Sequence, residues 1–198
     1  MMKKTLLAAA ALCALTSGAA MAQNYPQDGK WMVRARAVHL DSANKDSTPL
    51  DLSVNNKMIP ELDISYFFTP NFAAELILTY PQKHDVRAGG AEIGSLKHLP
   101  PTLLAQYHFT NLGAFKPYVG AGINYTRFSS VDILGGALNV KKNSFGPALQ
   151  VGFDYALDKN WSITVDGKKV YIDTNVSGGI GKFKVDPVLV GVGLGYRF

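Results

Sequence analysis

Pro187-Val188-Leu189-Val190-Gly191-Val192-Gly193-Leu194-Gly195-Tyr196-Arg197-Phe198 closes the chain. A strand sends alternate side chains to opposite faces. Val188, Val190, Val192, Leu194, Tyr196 and Phe198 therefore share one face, which is wholly apolar. Leu189, Gly191, Gly193, Gly195 and Arg197 share the other, which is mostly glycine with one charge. A sheet in water normally buries its apolar face and shows polar side chains to solvent. This segment has almost no side chains to show. It suits a strand with hydrocarbon outside and a crowded lumen inside.

The same alternation recurs upstream. Arg34 and Arg36 oppose Val33, Ala35 and Ala37; Glu61 and Asp63 oppose Leu62 and Ile64; Glu75 opposes Ala74 and Leu76. Further apolar rows are Leu103 to Phe109, Val119 to Tyr125, Leu149 to Tyr155 and Trp161 to Val165. With the last segment this makes eight strands. Thr69-Pro70-Asn71, Asn111 to Ala114 and Asp158-Lys159-Asn160 read as tight turns. Ser42 to Lys57, Pro81 to His98, Ser129 to Asn143 and Asp173 to Lys184 read as four long, polar extracellular loops. Short and long connections alternate as in bacterial barrels, and aromatic residues gather near strand ends where interfacial girdles belong. The pattern predicts an all-β fold, an eight-stranded antiparallel transmembrane β-barrel. A soluble lipocalin-like barrel would turn its apolar faces inward and carry more Lys and Glu outside. An aromatic last residue is common among outer-membrane barrels, whose assembly machinery reads such endings, so Tyr196 and Phe198 are candidates for an assembly signal.

The beginning of the chain reads differently. Lys3 and Lys4 precede an apolar run from Leu6 to Leu15, and Ala20-Met21-Ala22 follows. That is the pattern of a cleaved secretory signal over residues 1–22, leaving 23–198 for the barrel. The single cysteine, Cys13, falls within the signal, so the mature chain has no disulfide or thiolate chemistry. The net charge of +5 is spread along the chain without a basic and aromatic cluster, which argues against a nucleic-acid surface. No apolar stretch after Ala22 approaches the roughly 18 residues of a membrane-spanning helix. An exported chain that crosses a bilayer without helices needs a closed sheet.

Longer blocks carry a family resemblance. They are His98-Leu99-Pro100-Pro101-Thr102-Leu103-Leu104-Ala105-Gln106-Tyr107, Lys116-Pro117-Tyr118-Val119-Gly120-Ala121-Gly122-Ile123-Asn124-Tyr125-Thr126 and Leu157-Asp158-Lys159-Asn160-Trp161. Val170-Tyr171-Ile172-Asp173-Thr174 and the Asp186-Pro187 entry to the last strand continue them. The chain resembles the outer membrane protein W (OmpW) family, related to the AlkL alkane-uptake proteins. The resemblance implies an outer-membrane barrel of a Gram-negative bacterium. It also implies a narrow hydrophobic conduit for passive uptake of small apolar molecules, with lateral release into the membrane lipid. Some members place a tryptophan in the seventh strand where this chain has Lys168.

Three groups of residues are candidates for function. Arg34, Arg36, Glu61, Asp63, Glu75, His108, Asp154, Asp166, Lys168 and Arg197 fall on the inward parity. An eight-stranded barrel is just wide enough for side chains to fill, so opposite charges should pair into a polar plug. Met32, Leu40, Phe67, Leu104 and Phe128 are inward apolar candidates for lining a channel, with Leu40 and Phe128 nearer the outer end. Pro60, Pro100, Pro101, Pro147 and Pro187 sit near the outer starts of downward strands. Proline donates nothing to a ladder, so these positions are candidates for a lateral seam. His39, His84, His98 and His108 are scattered; His84 and His98 share a loop and read as solvated. No G-x-S-x-G or H-E-x-x-H motif occurs. No catalytic site, metal or cofactor is expected. A competing function is a structural or adhesive barrel whose outer loops serve as receptor for phage, bacteriocin or host surfaces. The oligomeric state is not legible.

Overall fold

The computed structural model describes residues 29–42, 45–46, 52–133, 135, 141–176 and 181–198. The signal read over 1–22 lies outside them. The described strands are β1 (Trp31–Asp41), β2 (Lys45–Asp46), β3 (Leu52–Val54), β4 (Lys57–Phe67), β5 (Phe72–Leu78), β6 (Gln82–Ala88) and β7 (Ala91–Leu99). They continue as β8 (Thr102–His108), β9 (Phe115–Ile133), β10 (Asn143–Ala156), β11 (Trp161–Val170), β12 (Asp173–Val176), β13 (Gly181–Lys184) and β14 (Val188–Arg197).

Eight strands close a ring in the order β10-β11-β14-β1-β4-β5-β8-β9, and β9 pairs back onto β10. Every pairing is antiparallel. The last strand joins the first through Met32↔Arg197 to Asp41↔Val188. Phe198 and Trp31 exchange two backbone hydrogen bonds at 2.8 and 2.9 Å below that ladder. Each strand of the ring thus pairs on both sides over most of its length, as a sheet in hydrocarbon requires.

The parity predicted from sequence holds in space. Val188, Val190, Val192 and Leu194 point outward and are exposed, as are Leu62, Leu76, Leu103, Val119, Ile123, Leu149 and Val151. An apolar band this continuous needs hydrocarbon around it. The glycines on the inward parity are there for room. A Cβ on Gly152 would lie 2.7 Å from the Tyr118 ring, and one on Gly195 would lie 2.4 Å from the Met32 methyl.

Aromatic pairs ring the lower rim: Trp31 on Tyr66 at 4.8 Å, Phe72 on Tyr107 at 5.0 Å and Trp161 on Tyr196 at 4.9 Å between centroids. Tyr80, Tyr125, Phe145 and Tyr171 are exposed at the opposite end and mark the outer interface. The lower turns are closed by side chains. Asp158 accepts from the amides of Asn160 and Trp161 at 2.8 and 2.7 Å.

All four stretches read as loops are partly strand, with β2 and β3 inside Ser42 to Lys57 and β12 and β13 inside Asp173 to Lys184. Pro81 to His98 folds as the β6–β7 hairpin, turned at Gly89 and Gly90 with φ of 54° and 86°. β9 runs on to Ile133 and pairs with β7, so the wall continues above the outer aromatics. The polar look of the hairpin has a simple cause. Gln82, His84 and Val86 face inward and are buried, while Lys83 and Arg87 face water rather than lipid. A strand with a wet outer face reads as a polar loop. A second small sheet, β12-β13-β2, stands above the membrane beside it.

Candidate functional site

The lumen is divided into two layers. The lower one is charged. β1 places Arg34 and Arg36 two residues apart on the inward face. Arg34 grips Asp154 of β10 with two nitrogens, at 3.1 and 2.8 Å. Its remaining nitrogen donates to Ser65 Oγ at 2.7 Å and Glu75 Oε1 at 3.0 Å. Arg36 bonds Asp63 of β4, with Nε donating to Oδ2 at 2.6 Å, and meets Asp166 of β11 at 2.7 Å. It also lies 3.3 Å from Glu75 and 3.5 Å from Glu61. Lys168 pairs with Glu61 and lies 3.2 Å from Asp166. Arg34–Asp154, Arg34–Glu75, Arg36–Asp166 and Lys168–Glu61 join strands that are not neighbours in the ring, so these pairs cross the bore.

The named carboxylates Glu61, Asp63, Glu75, Asp154 and Asp166 outnumber the cations Arg34, Arg36 and Lys168. Neutral donors make up the difference. Gln106 Nε2 donates to Glu75 at 2.8 Å, and Gln150 Nε2 donates to Glu75 at 2.9 Å and Asp166 at 2.8 Å. Tyr118 stands against both arginines, its ring centre 5.4 Å from the Arg34 guanidinium. Charged hydrogen bonds of this kind are about twice as strong as neutral ones, and here they are dry.

The upper layer is apolar. Directly above Glu61 and Lys168 lies a chamber walled by Leu40, Ile59, Ile77, Val170, Ile172 and Leu189. It encloses about 30 Å³, room for little more than a water molecule, and opens in part to solvent. Thr79, His98, Pro100, Thr102, Asn124 and Pro187 complete its rim.

One side of that rim lacks a ladder. β5 pairs with β8 up to Ile77↔Thr102, and β6 pairs with β7 from Gln82↔His98 upward. Between these points, Thr79 to Pro81 and Leu99 to Pro101 form no register pairs with each other, although on its other side Leu99 pairs with Arg127 of β9. Local side-chain bonds stand in. Asn124 Nδ2 donates to the Pro100 and Pro101 carbonyls at 3.1 and 3.2 Å, and Thr79 Oγ1 donates to the Pro60 carbonyl at 3.1 Å. Pro147 ends another ladder: β10 and β11 pair up to Ala148↔Val170, and beyond it the Tyr171 amide donates to the Pro147 carbonyl at 3.0 Å.

A closed barrel with a charged lower layer, an apolar upper chamber and proline-bearing breaks is now in view. The sequence model of the OmpW family matches residues 27–198. The chain belongs to the OmpW family. It is 47% identical over 182 residues to "Uncharacterized outer-membrane protein y4mB" of Sinorhizobium fredii, covering 85% of this chain and 80% of the relative. It is 34% identical over 220 residues to Outer membrane protein W of Vibrio cholerae, end to end in both. Among solved structures it is similar to the crystal structure of OprG from Pseudomonas aeruginosa, at a TM-score of 0.72 and 26% identity, covering 89% of this chain and 99% of that one. These are outer-membrane barrel proteins, and the OmpW-family fold fits the same membrane.

The ten residues expected in the polar layer face inward, but they do not all meet. Eight join the network described above. His108 sits at its lower edge, its Nε2 3.1 Å from Gln106 Oε1. Arg197 lies further down, with its guanidinium 3.7 Å from the Phe67 ring centre and its Nε bonded to the Gly29 carbonyl at 2.6 Å. The five apolar candidates also divide. Leu40, Leu104 and Phe128 belong to the upper apolar cluster. Met32 and Phe67 pack with Ala73 in a separate cluster at the lower end, with the charged layer between. Of the prolines, Pro100 and Pro187 border the chamber, while Pro60 lies on the outer face of the wall. Tyr196 and Phe198 face outward at the lower girdle, their rings 5.9 Å apart.

Sequence reading missed Gln106, Gln150 and Tyr118, although all three stand on the inward parity. It also took His84 and His98 for solvated loop residues. They are buried and stacked on each other, with centroids 4.7 Å apart. The wet outer face of the hairpin hid the inward side of its strands.

Proposed function

We propose that the chain is a passive conduit for small apolar molecules. A solute enters from outside, parts the aliphatic walls of the small chamber to lodge there, and leaves sideways through the break between Thr79–Pro81 and Leu99–Pro101. It does not cross the charged layer, which acts as a plug. The single observation that carries this reading is the juxtaposition of an apolar chamber, a dry charged floor and an unpaired stretch of wall at the outer leaflet. A filled lumen of eight strands has no bore left for water, so the side is the exit with the smallest barrier. A relative 28% identical over 176 residues is named "Dibenzothiophene metabolism operon protein PahQ", from Pseudomonas aeruginosa. That name places the relative beside the handling of an apolar aromatic compound, which supports the substrate class.

The test closes the break. Pro100→Val with Pro101→Thr restores amide donors opposite Thr79 and Tyr80. Naphthalene uptake by intact cells carrying this variant should slow several-fold relative to wild type, with the same amount of folded barrel in the membrane. Unchanged uptake would remove the lateral route.

A further inference from the structure

The charged layer and the aliphatic chamber wall do not use the two buried histidines above them. His84 on β6 and His98 on β7 both face inward, beyond the Tyr80 and Tyr125 level of the outer interface. Their rings stack at 4.7 Å with 20° between planes. His98 forms part of the chamber rim with Pro100 and Ile59. His84 Nδ1 lies 3.1 Å from the Asn55 carbonyl oxygen. A carbonyl only accepts, so that nitrogen carries the proton and Nε2 keeps a bare lone pair. Nε2 of His84 and Nε2 of His98 are both buried without a hydrogen-bond partner among the described residues. Leaving a buried polar atom unpaired is costly, and here the two atoms belong to stacked rings of which one, His98, lines the apolar chamber.

The chemistry of the pair narrows what it would bind. Burial, with Lys57 nearby, pushes His98 down to about 3, and His84 is lowered as well. Neither ring is a cation at neutral pH, so neither recruits a carboxylate or phosphate. No third metal ligand accompanies them among the described residues, which leaves them short of a structural zinc set. A neutral imidazole nitrogen seeks a hydrogen bond. A hydroxyl can both donate and accept, so it satisfies His98 in either tautomer.

We propose that the chamber, widening around its guest, selects small hydrocarbon skeletons bearing one hydroxyl group, which hydrogen-bonds His98 Nε2 while the skeleton lies against Leu40 and Ile59. His84 is a positioning residue whose stack holds the His98 ring. This rests on the conduit reading and sharpens its substrate class from apolar molecules to monohydroxylated ones.

The experiment compares 1-naphthol with naphthalene, which differ by that one group. The full barrel is placed in lipid nanodiscs, and binding is measured by probe fluorescence against empty discs. One satisfied hydrogen bond should make 1-naphthol bind roughly tenfold more tightly than naphthalene. His98→Phe, which keeps an aromatic ring in the stack, should abolish that preference while leaving naphthalene binding unchanged. In wild type labelled with nitrogen-15, the His98 Nε2 resonance should move with 1-naphthol and not with naphthalene. Equal binding of the two probes to wild type, or a preference that survives His98→Phe, overturns this inference and leaves the conduit standing. If His98→Phe does not fold, the wild-type resonance decides, and an unmoved Nε2 overturns it. Failure of both probes to bind above empty discs overturns the conduit reading too.

Discussion

The lower and upper halves of the lumen are built on the same inward parity from opposite chemistry. In β1 the inward row passes from Arg34 and Arg36 to Val38 and Leu40. In β4 it passes, going up, from Asp63 and Glu61 to Ile59; in β5 from Glu75 to Ile77; in β11 from Asp166 and Lys168 to Val170. The change falls at one level around the ring. Below it, charges are held by one another, by glutamine amides and by close packing against glycines. Above it, aliphatic side chains leave space. The lesson is a division of labour. The half with costly buried charges is densely cross-linked, with Asp63 Oδ1 and Asp166 Oδ1 left without a partner among the described residues, and the half above it is lined by aliphatic side chains around a small cavity. On the conduit reading proposed above, stability and transport draw on different residues.

That division breaks most readily in the charged half. Arg36→Met removes the partner of Asp63, Asp166 and Glu75 at once. Stranding a buried charge costs about 3–5 kcal/mol, so reversible urea unfolding in lipid vesicles should show a loss of that size. Naphthalene binding by the molecules that remain folded should not change. In the upper half, Leu40→Ala should cost less, about 2 kcal/mol, at the low end for a buried leucine because the site already borders open space. Here the order of effects reverses, and naphthalene should bind measurably more weakly. A chamber variant that costs as much stability as Arg36→Met would erase the distinction between the halves.

Much of this arrangement was legible in the chain. Period-two alternation placed Arg34, Glu61 and Asp166 inward and Val190 and Leu194 outward, because lipid imposes a stricter rule on the outer face than any soluble core does. Short turns at Thr69 to Asn71 and Asp158 to Asn160 announced themselves by composition. The height of each inward residue was less legible. Met32 and Leu40 share a face of β1 but lie on opposite sides of the charged layer, and parity says nothing of level without the register to β4 and β14. The chamber was visible only as an end to charge along each inward row, at Val38, Ile59, Ile77 and Val170. The histidine stack was hidden for a different reason. His84 and His98 are fourteen residues apart in a polar stretch, and only the hairpin register through Gln82↔His98 brings them together.

The smallest predicted effect is on pH and belongs to the upper half alone. His98 is lowered to about 3 by burial, then by His84 and Lys57, while in the unfolded hairpin it titrates near 6.5. Lys57 on β4 and Asp85 on β6 are the charges nearest the pair, and they act on it with opposite signs. The folded hairpin therefore binds fewer protons than the unfolded one. Its stability is intact above pH 6.5 and declines as pH falls from there towards 3. At pH 5.5 the loss is about 1.4 kcal/mol, since each unit below the unfolded value contributes about that much. Amide hydrogen exchange should then speed up in β6 and β7 between pH 7 and pH 5.5, after correction for the intrinsic rate, while β1 and β14 remain protected. His98→Phe should flatten most of that dependence. Equal loss of protection in β1 would assign the titration to the charged layer instead and join the two halves into one cooperative unit.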